Sequence, residues 1–323
     1  MFATLLGALP APPTPDDDPA SGDTALEVVV RAQEAAGLEP ITDGRSADAE
    51  WAGLAGVAPR PIGDAAEGIV QRWRRTQELT DRAVKQVLLG PWTLLRAGGE
   101  AATATTLARV VLELAAAGCQ LVEIEERFGA AVDGEADDAD RADDVGGAFR
   151  TLHAALLDEL ARHGGEIHLS LSLTGGTPPE AWREAIVGLP YSSLAVDLIH
   201  GPDSWNLVTR FPGDRGVIAG ALSAGGPAIA DAAGEPVEVL QWAASYAAST
   251  RGRGPARVGL GSAGSWSNLT WDAALARMQR LGAAARIAAM PPGDAKARQL
   301  DPRAVSSRRA ALGHDAPPPP RRR

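Results

Sequence analysis

Along most of this chain a short apolar stretch is followed by a longer helical one, and the alternation recurs eight times. Several of the short stretches carry the period-two pattern of a strand. "EIHLSLSL" (Glu166–Leu173) is the clearest: Ile167, Leu169, Leu171 and Leu173 share one face, and His168, Ser170 and Ser172 share the other. Further strands are expected at Phe2–Gly7, Glu39–Gly44, Lys85–Pro91, Gln120–Glu126, Ser192–Ile199, Gly216–Leu222 and Ala256–Gly264. Between them lie helical stretches with their own punctuation. The first is capped by Thr24, with Glu27 three residues on, and is ended by Gly37; the last is capped by Thr270.

Strands that alternate with helices build a parallel sheet. Eight such units within residues 1–290 fit an α/β fold, a single (β/α)8 TIM barrel, whose usual length is about 250 residues. An open doubly wound sheet is the other arrangement, and it rarely needs eight units. Residues 291–323, rich in Pro and Arg, are expected to form a mostly disordered tail, with a short helix from Asp301-Pro302 to Leu312. The acidic run "DGEADDADRADD" (Asp133–Asp144) reads as a solvated loop.

Composition narrows the function. A net charge of −10 over 323 residues argues against nucleic acid as a partner. No stretch reaches the roughly 18–20 apolar residues of a membrane span, and the opening "MFATLLGALP" lacks a basic leader, so a soluble cytoplasmic protein with no membrane partner is expected. The single cysteine, Cys119, excludes a disulfide framework and a multi-cysteine metal site.

In such barrels the chemistry sits at the C-terminal ends of the strands. The strand readings then deliver Asp43 and Arg45 from the second strand, Trp92 and Thr93 from the third, and Glu123, Glu125 and Glu126 from the fourth. His168, Ser170 and Ser172 come from the fifth, and Asp197 and His200 from the sixth. A carboxylate turned into a barrel costs several kcal/mol unless it is paired or hydrated. Glu125 is therefore expected to meet Arg45, Arg127, His168 or a ligand, either as a substrate contact or as an internal salt bridge. Trp92 can stack on a flat ligand or pack the barrel top. His168 and His200, with Asp197 and Glu125, are nitrogen and oxygen donors of the kind that bind a divalent cation, although their spacing matches no metal motif.

Five stretches resemble one family. "TLLGALP" (Thr4–Pro10), "VVVRAQEAAGLEPITDG" (Val28–Gly44), "VKQVLLGPWTLL" (Val84–Leu95), "ELAAAGCQLVEIEE" (Glu113–Glu126) and "LPYSSLAVDLIHGPDSW" (Leu189–Trp205) are similar to segments of the cobalamin-independent methionine synthases. The resemblance implies a barrel and a methyl transfer from a folate to homocysteine sulfur, with zinc held by a His-x-Cys pair, a glutamate and a second cysteine. On this chain the histidine falls at His168 and its cysteine partner at Ser170; the glutamate falls at Asp197 and the last cysteine near Ala263. Arg45 replaces a glutamate expected to hold the homocysteine amine, Glu125 an aspartate and Arg127 a proline. The resemblance thus implies a degenerate zinc site, with His168 its remaining metal ligand, and methyl transfer altered or lost. No cofactor is certain, and a small molecule is the expected partner.

As an enzyme, the barrel would move protons with His200 or Glu125. It would hold its substrate through Asp43, Arg45, Trp92, Glu126, Asp197 and Ser170. The alternatives are a non-catalytic barrel that binds a ligand or a partner protein, and a metal-independent decarboxylase or lyase in which Arg45 grips a carboxylate.

Overall fold

The computed structural model describes residues 1–13, 21–44, 62–96, 103–128, 139–164, 166–224 and 235–300. Seven strands form one parallel sheet among these residues: β1 (Phe2–Thr4), β2 (Lys85–Leu89), β3 (Leu121–Arg127), β4 (His168–Thr174), β5 (Ser193–Asp197), β6 (Gly216–Leu222) and β7 (Val258–Ser262). Their order is β1-β7-β6-β5-β4-β3-β2. The sheet curls, because both of its edges reach the same short segment. Ala3 bridges Glu39, and Ile41 bridges Val84 next to β2. The Ile41 N–H donates to the Ala83 carbonyl at 2.8 Å, and the Lys85 N–H to the Ile41 carbonyl at 2.8 Å.

The expected second strand, Glu39–Gly44, is reduced to those two bridges. Pro40 has no N–H to give to a ladder, which keeps pairing there to isolated contacts. The other seven expected strands form with their ends shifted, and β6 keeps its limits. The stretch Lys85–Pro91 stops early as a strand, because Pro91 opens a helix.

The helices are α1 (Ser21–Ala36), α2 (Ile62–Glu78), α3 (Pro91–Arg96), α4 (Thr103–Ala116), α5 (Ala139–His163), α6 (Arg183–Gly188), α7 (Trp205–Arg210), α8 (Val237–Ser249), α9 (Trp271–Ala289) and α10 (Asp294–Leu300). Helix α1 starts at Ser21, ahead of the expected Thr24 cap, and ends before Gly37. Thr270 caps α9 as expected, its side chain accepting from the Ala273 N–H. Two loop readings change. The acidic run is helical from Ala139 onward, and residues 294–300 of the expected tail form α10. Residues 133–138 of the run and 301–323 of the tail lie outside the described residues. No helix among the described residues is long and apolar enough to cross a membrane.

The two faces of the sheet differ in kind. Outward residues such as Leu88, Ile124, Leu171, Val196 and Val217 join one large core beneath the helices. Each such side chain contributes about 1.5–3 kcal/mol when fully buried. The inner face has a far smaller apolar cluster, Leu6, Ala195 and Ile218 with Phe2 against it. Much of the rest is polar or small, with Val87 and Leu89 of β2 beside Glu123 and Glu125. In register, Glu123 pairs with Ser170, Ser170 with Ser193, and Glu125 with Ser172. Buried there is an ion pair, Lys85 Nζ to Glu123 Oε2 at 2.7 Å, and Lys85 also donates to the Leu5 carbonyl at 3.0 Å.

Candidate functional site

Asp197 ends β5, and the chain folds back over its carboxylate. Oδ1 accepts the backbone N–H groups of Ile199 at 3.0 Å and His200 at 2.9 Å. Oδ2 lies 2.8 Å from His200 Nδ1 and accepts the Gly175 N–H at 3.4 Å. Asp197 is fully buried, whereas the His200 side chain is 44% exposed. In the neutral imidazole, an Nδ1–H donated to the carboxylate leaves the Nε2 lone pair as the ring atom available to a ligand. An imidazole oriented in this way is suited to proton transfer.

The neighbouring strands complete the arrangement. Glu125, buried in β3, accepts from the Thr174 hydroxyl at 3.0 Å and lies 3.5 Å from Arg127 Nε. Thr174 ends β4, and its backbone continues into the Gly175 that touches Asp197. The loop after β7 passes over the cluster. A Cβ on Gly264 would lie 3.6 Å from Asp197 Oδ2 and 3.9 Å from Thr174 Cβ, and that glycine has φ +77°, where side chains are disfavoured. Two pairs thus stand at the C-terminal ends of β3, β4 and β5, Asp197 with His200 and Glu125 with Arg127, joined through Thr174 and Gly175.

Asp43 stands apart from this group. Its carboxylate accepts from Arg72 Nε at 2.8 Å, and the pair lines a cavity of about 260 Å³ with Leu9, Pro10, Val29 and Ser267. Arg45 lies outside the described residues.

Four of the expected site residues turn away from the C-terminal mouth. Glu126 faces outward, opposite to Glu125, and its carboxylate caps α3. It accepts the N–H groups of Trp92 at 3.0 Å and Thr93 at 2.7 Å, and the Thr93 hydroxyl. His153 Nε2 lies 2.9 Å from Glu126 Oε1, and His153 Nδ1 lies 2.6 Å from the Tyr191 hydroxyl. Burial and the Glu126 charge push the Tyr191 hydroxyl well above the usual phenol range. Gly90 lets the carboxylate pass, since a Cβ there would sit 2.1 Å from Glu126 Oε1. Trp92 is buried edge-on against Trp182 and Phe149 and presents no face to a flat ligand. A substrate contact from either residue is therefore corrected to a packing role between sheet and helices.

The third is His168. It opens β4 instead of ending it, so it sits at the N-terminal end of the sheet, opposite Asp197. Its Nε2 lies 2.9 Å from the Ser193 hydroxyl, and partial burial lowers its pKa. The fourth, Ser170, is buried one step further in at the same end, which corrects its expected substrate contact at the mouth; its Oγ has no hydrogen-bond partner among the described residues. Cys119 is buried before β3, donating to the Leu121 carbonyl at 3.3 Å, and burial pushes its thiol up to about 11. Among the described residues no three His, Cys, Asp or Glu side chains gather as a metal site would require.

Thr174 and Gly264 were missed by sequence reasoning. Thr174 was within reach, since it continues the His168-Ser170-Ser172 face by one more period. Gly264 had no signal, because its role is to leave room.

No family model matches the chain. A 5-methyltetrahydropteroyltriglutamate–homocysteine methyltransferase from Herpetosiphon aurantiacus is 29% identical over 162 residues, which is 48% of this chain and 20% of that protein. The match therefore spans about a fifth of that relative's length. A B12-independent methionine synthase from Shewanella sp. W3-18-1, solved in complex with selenomethionine, superposes with TM-score 0.61 at 14% identity, covering 88% of this chain and 96% of the other. A putative vitamin-B12-independent methionine synthase from Listeria monocytogenes superposes with TM-score 0.58 at 14% identity, covering 87% and 96%. At that identity the two structures speak for the fold alone.

Proposed function

We propose that this chain, which resembles the cobalamin-independent methionine synthases in sequence and fold, is a cytoplasmic single (β/α)8 barrel that binds a small amino-acid-like substrate at the C-terminal ends of its strands. Its zinc site is degenerate, and its chemistry rests on proton transfer by His200. The observation that carries this reading is the His200–Asp197 pair, 2.8 Å apart, linked through Gly175 and Thr174 to Glu125 and Arg127. Asp197 holds Nδ1, so that Nε2 faces the substrate. Glu125 receives an ammonium group, and Arg127, with 41% of its side chain exposed, receives a carboxylate.

In the family this chain resembles, zinc supplies the Lewis acid that turns a thiol into a thiolate. The donors present do not suit it. His168 faces the wrong end of β4. Ser170 offers a weak neutral oxygen, and the Cys119 thiol keeps its proton under burial.

Two measurements test the reading. Elemental analysis of the purified chain is expected to find zinc well below one equivalent. An assay with a methyl-folate donor and homocysteine is expected to stay at background with or without a chelator. One firmly held zinc per chain and chelator-sensitive methionine formation would overturn the proposal. A thermal-shift screen of amino acids then separates an enzyme from a binding module. A ligand whose affinity falls in Glu125→Gln but which is never turned over would favour the non-catalytic barrel.

A further inference from the structure

The opposite end of the sheet holds a cavity that the His200 site does not use. It measures about 640 Å³ and is bounded by the first residues of the strands. That is within the range of about 300–1,000 Å³ typical of small-molecule sites. Its origin is legible in the residues. A packed barrel is filled by layers of bulky branched side chains. Here the inner positions at this end include Ser170, Ser193, Gly216 and Gly259, and the apolar cluster beside them is small: Leu6, Ala195, Ile218 and Phe2. Small side chains leave the interior hollow.

The lining decides what fits. Phe2, Leu121 and Ile218 provide apolar walls. The Lys85 side chain reaches the same cavity, but its charge is met by Glu123 at 2.7 Å. At the rim two acids, Glu39 and Asp214, balance two bases, Arg215 and Arg257. Arg215 is also engaged by the Leu189 carbonyl at 2.7 Å. In sum the lining therefore favours neither sign of charge. Ser170 is the exception to this balance. It lines the cavity, is 3% exposed, and its hydroxyl has no partner among the described residues. A buried hydroxyl left unpaired costs about 1–3 kcal/mol, which a bound polar group would recover.

We propose that the cavity at the N-terminal ends of the strands binds a neutral, mainly apolar small molecule carrying one hydrogen-bonding group, with the Ser170 hydroxyl as its polar contact. The site is separate from the His200 cluster, and the proposal stands whether or not that cluster is catalytic.

The probe is N-phenyl-1-naphthylamine, a neutral dye with one N–H that brightens in apolar surroundings, titrated into the full chain. Saturable binding at one dye per chain is expected. Ser170→Leu, which fills the cavity, should weaken it at least tenfold. Ser170→Ala, which removes only the hydroxyl, should weaken it about threefold, the size of one net hydrogen bond. If Ser170→Leu does not fold by circular dichroism, the alanine variant carries the test. The competing apolar surface is the exposed patch of Trp242 and Tyr246 on α8, and Trp242→Ser should leave the affinity within twofold. Dye binding that is absent, that ignores both Ser170 variants, or that is lost in Trp242→Ser would overturn the proposal.

Discussion

The two ends of the curled sheet are made by the same strands and hold opposite chemistry. At the C-terminal end the carboxylates of Asp197 and Glu126 are held by backbone N–H groups: Ile199, His200 and Gly175 for the first, Trp92 and Thr93 for the second. The loops that leave strands and enter helices present unsatisfied N–H groups there, and these solvate anions. At the N-terminal end the Lys85–Glu123 pair is solvated mainly by itself, and the lining beyond it is small and neutral in sum. The difference teaches why acid–base groups collect at one end. There the backbone itself supplies the donors that buried Asp197 and Glu126 need.

The largest test of this contrast is Lys85. Removing one member of a buried ion pair leaves the other charge uncompensated and costs about 3–5 kcal/mol. Lys85→Met should therefore lower the urea midpoint strongly, and Lys85→Met/Glu123→Leu should restore most of the loss, because two apolar groups replace the pair. If the double variant stays as unstable as the single one, the pair has a role beyond mutual compensation. A second test concerns Cys119, at the same end. With its thiol pushed up to about 11, alkylation by iodoacetamide at pH 8 should be about a hundredfold slower than in the urea-unfolded chain. Equal rates would show an accessible thiolate. At the C-terminal end, Asp197→Asn exchanges one acceptor oxygen for an NH2 group that faces N–H donors. It should cost about 1–3 kcal/mol in urea denaturation. A negligible change would mean that the backbone donors there find other acceptors.

The contrast also marks what could be read from the residues. Period two grouped His168 with Ser170 and Ser172 on one face, and the register places them so. It did not assign height along the strand. The pairing of β4 with β3 begins at His168–Leu121, and only that register reveals that His168 opens its strand while Thr174, six residues later, meets Glu125. Glu126 and Trp92 were read as ligand contacts because a strand-end position looks the same whether the next helix covers it or not. The covering side chains, Trp182, Phe149 and His153, come from α5 and from just ahead of α6, and no local pattern announces them. The second strand position, Glu39–Gly44, was legible in the sequence, but Pro40 within it limited the ladder to single bridges.

The smallest expected effect concerns His168 and separates the two ends by pH. Partial burial lowers its pKa, so the folded chain resists a proton that the unfolded chain accepts. Between the ordinary imidazole value of about 6.5 and the lower folded value, the unfolded state binds more protons, and stability falls as pH falls. Above that window the contribution is fully present; below it the loss is complete and the curve levels. Glu39, Lys85, Asp214, Arg215 and Arg257 line the same cavity, so the wild type must be compared with His168→Gln at each pH, which cancels their titrations to first order. The difference in urea midpoint should shift against the wild type as pH drops from 7.5 to 5. A shift of the opposite sign would mean that the folded imidazole prefers its charged form. The N-terminal cavity would then suit an anion, and the division between a charged end and a neutral end would fail.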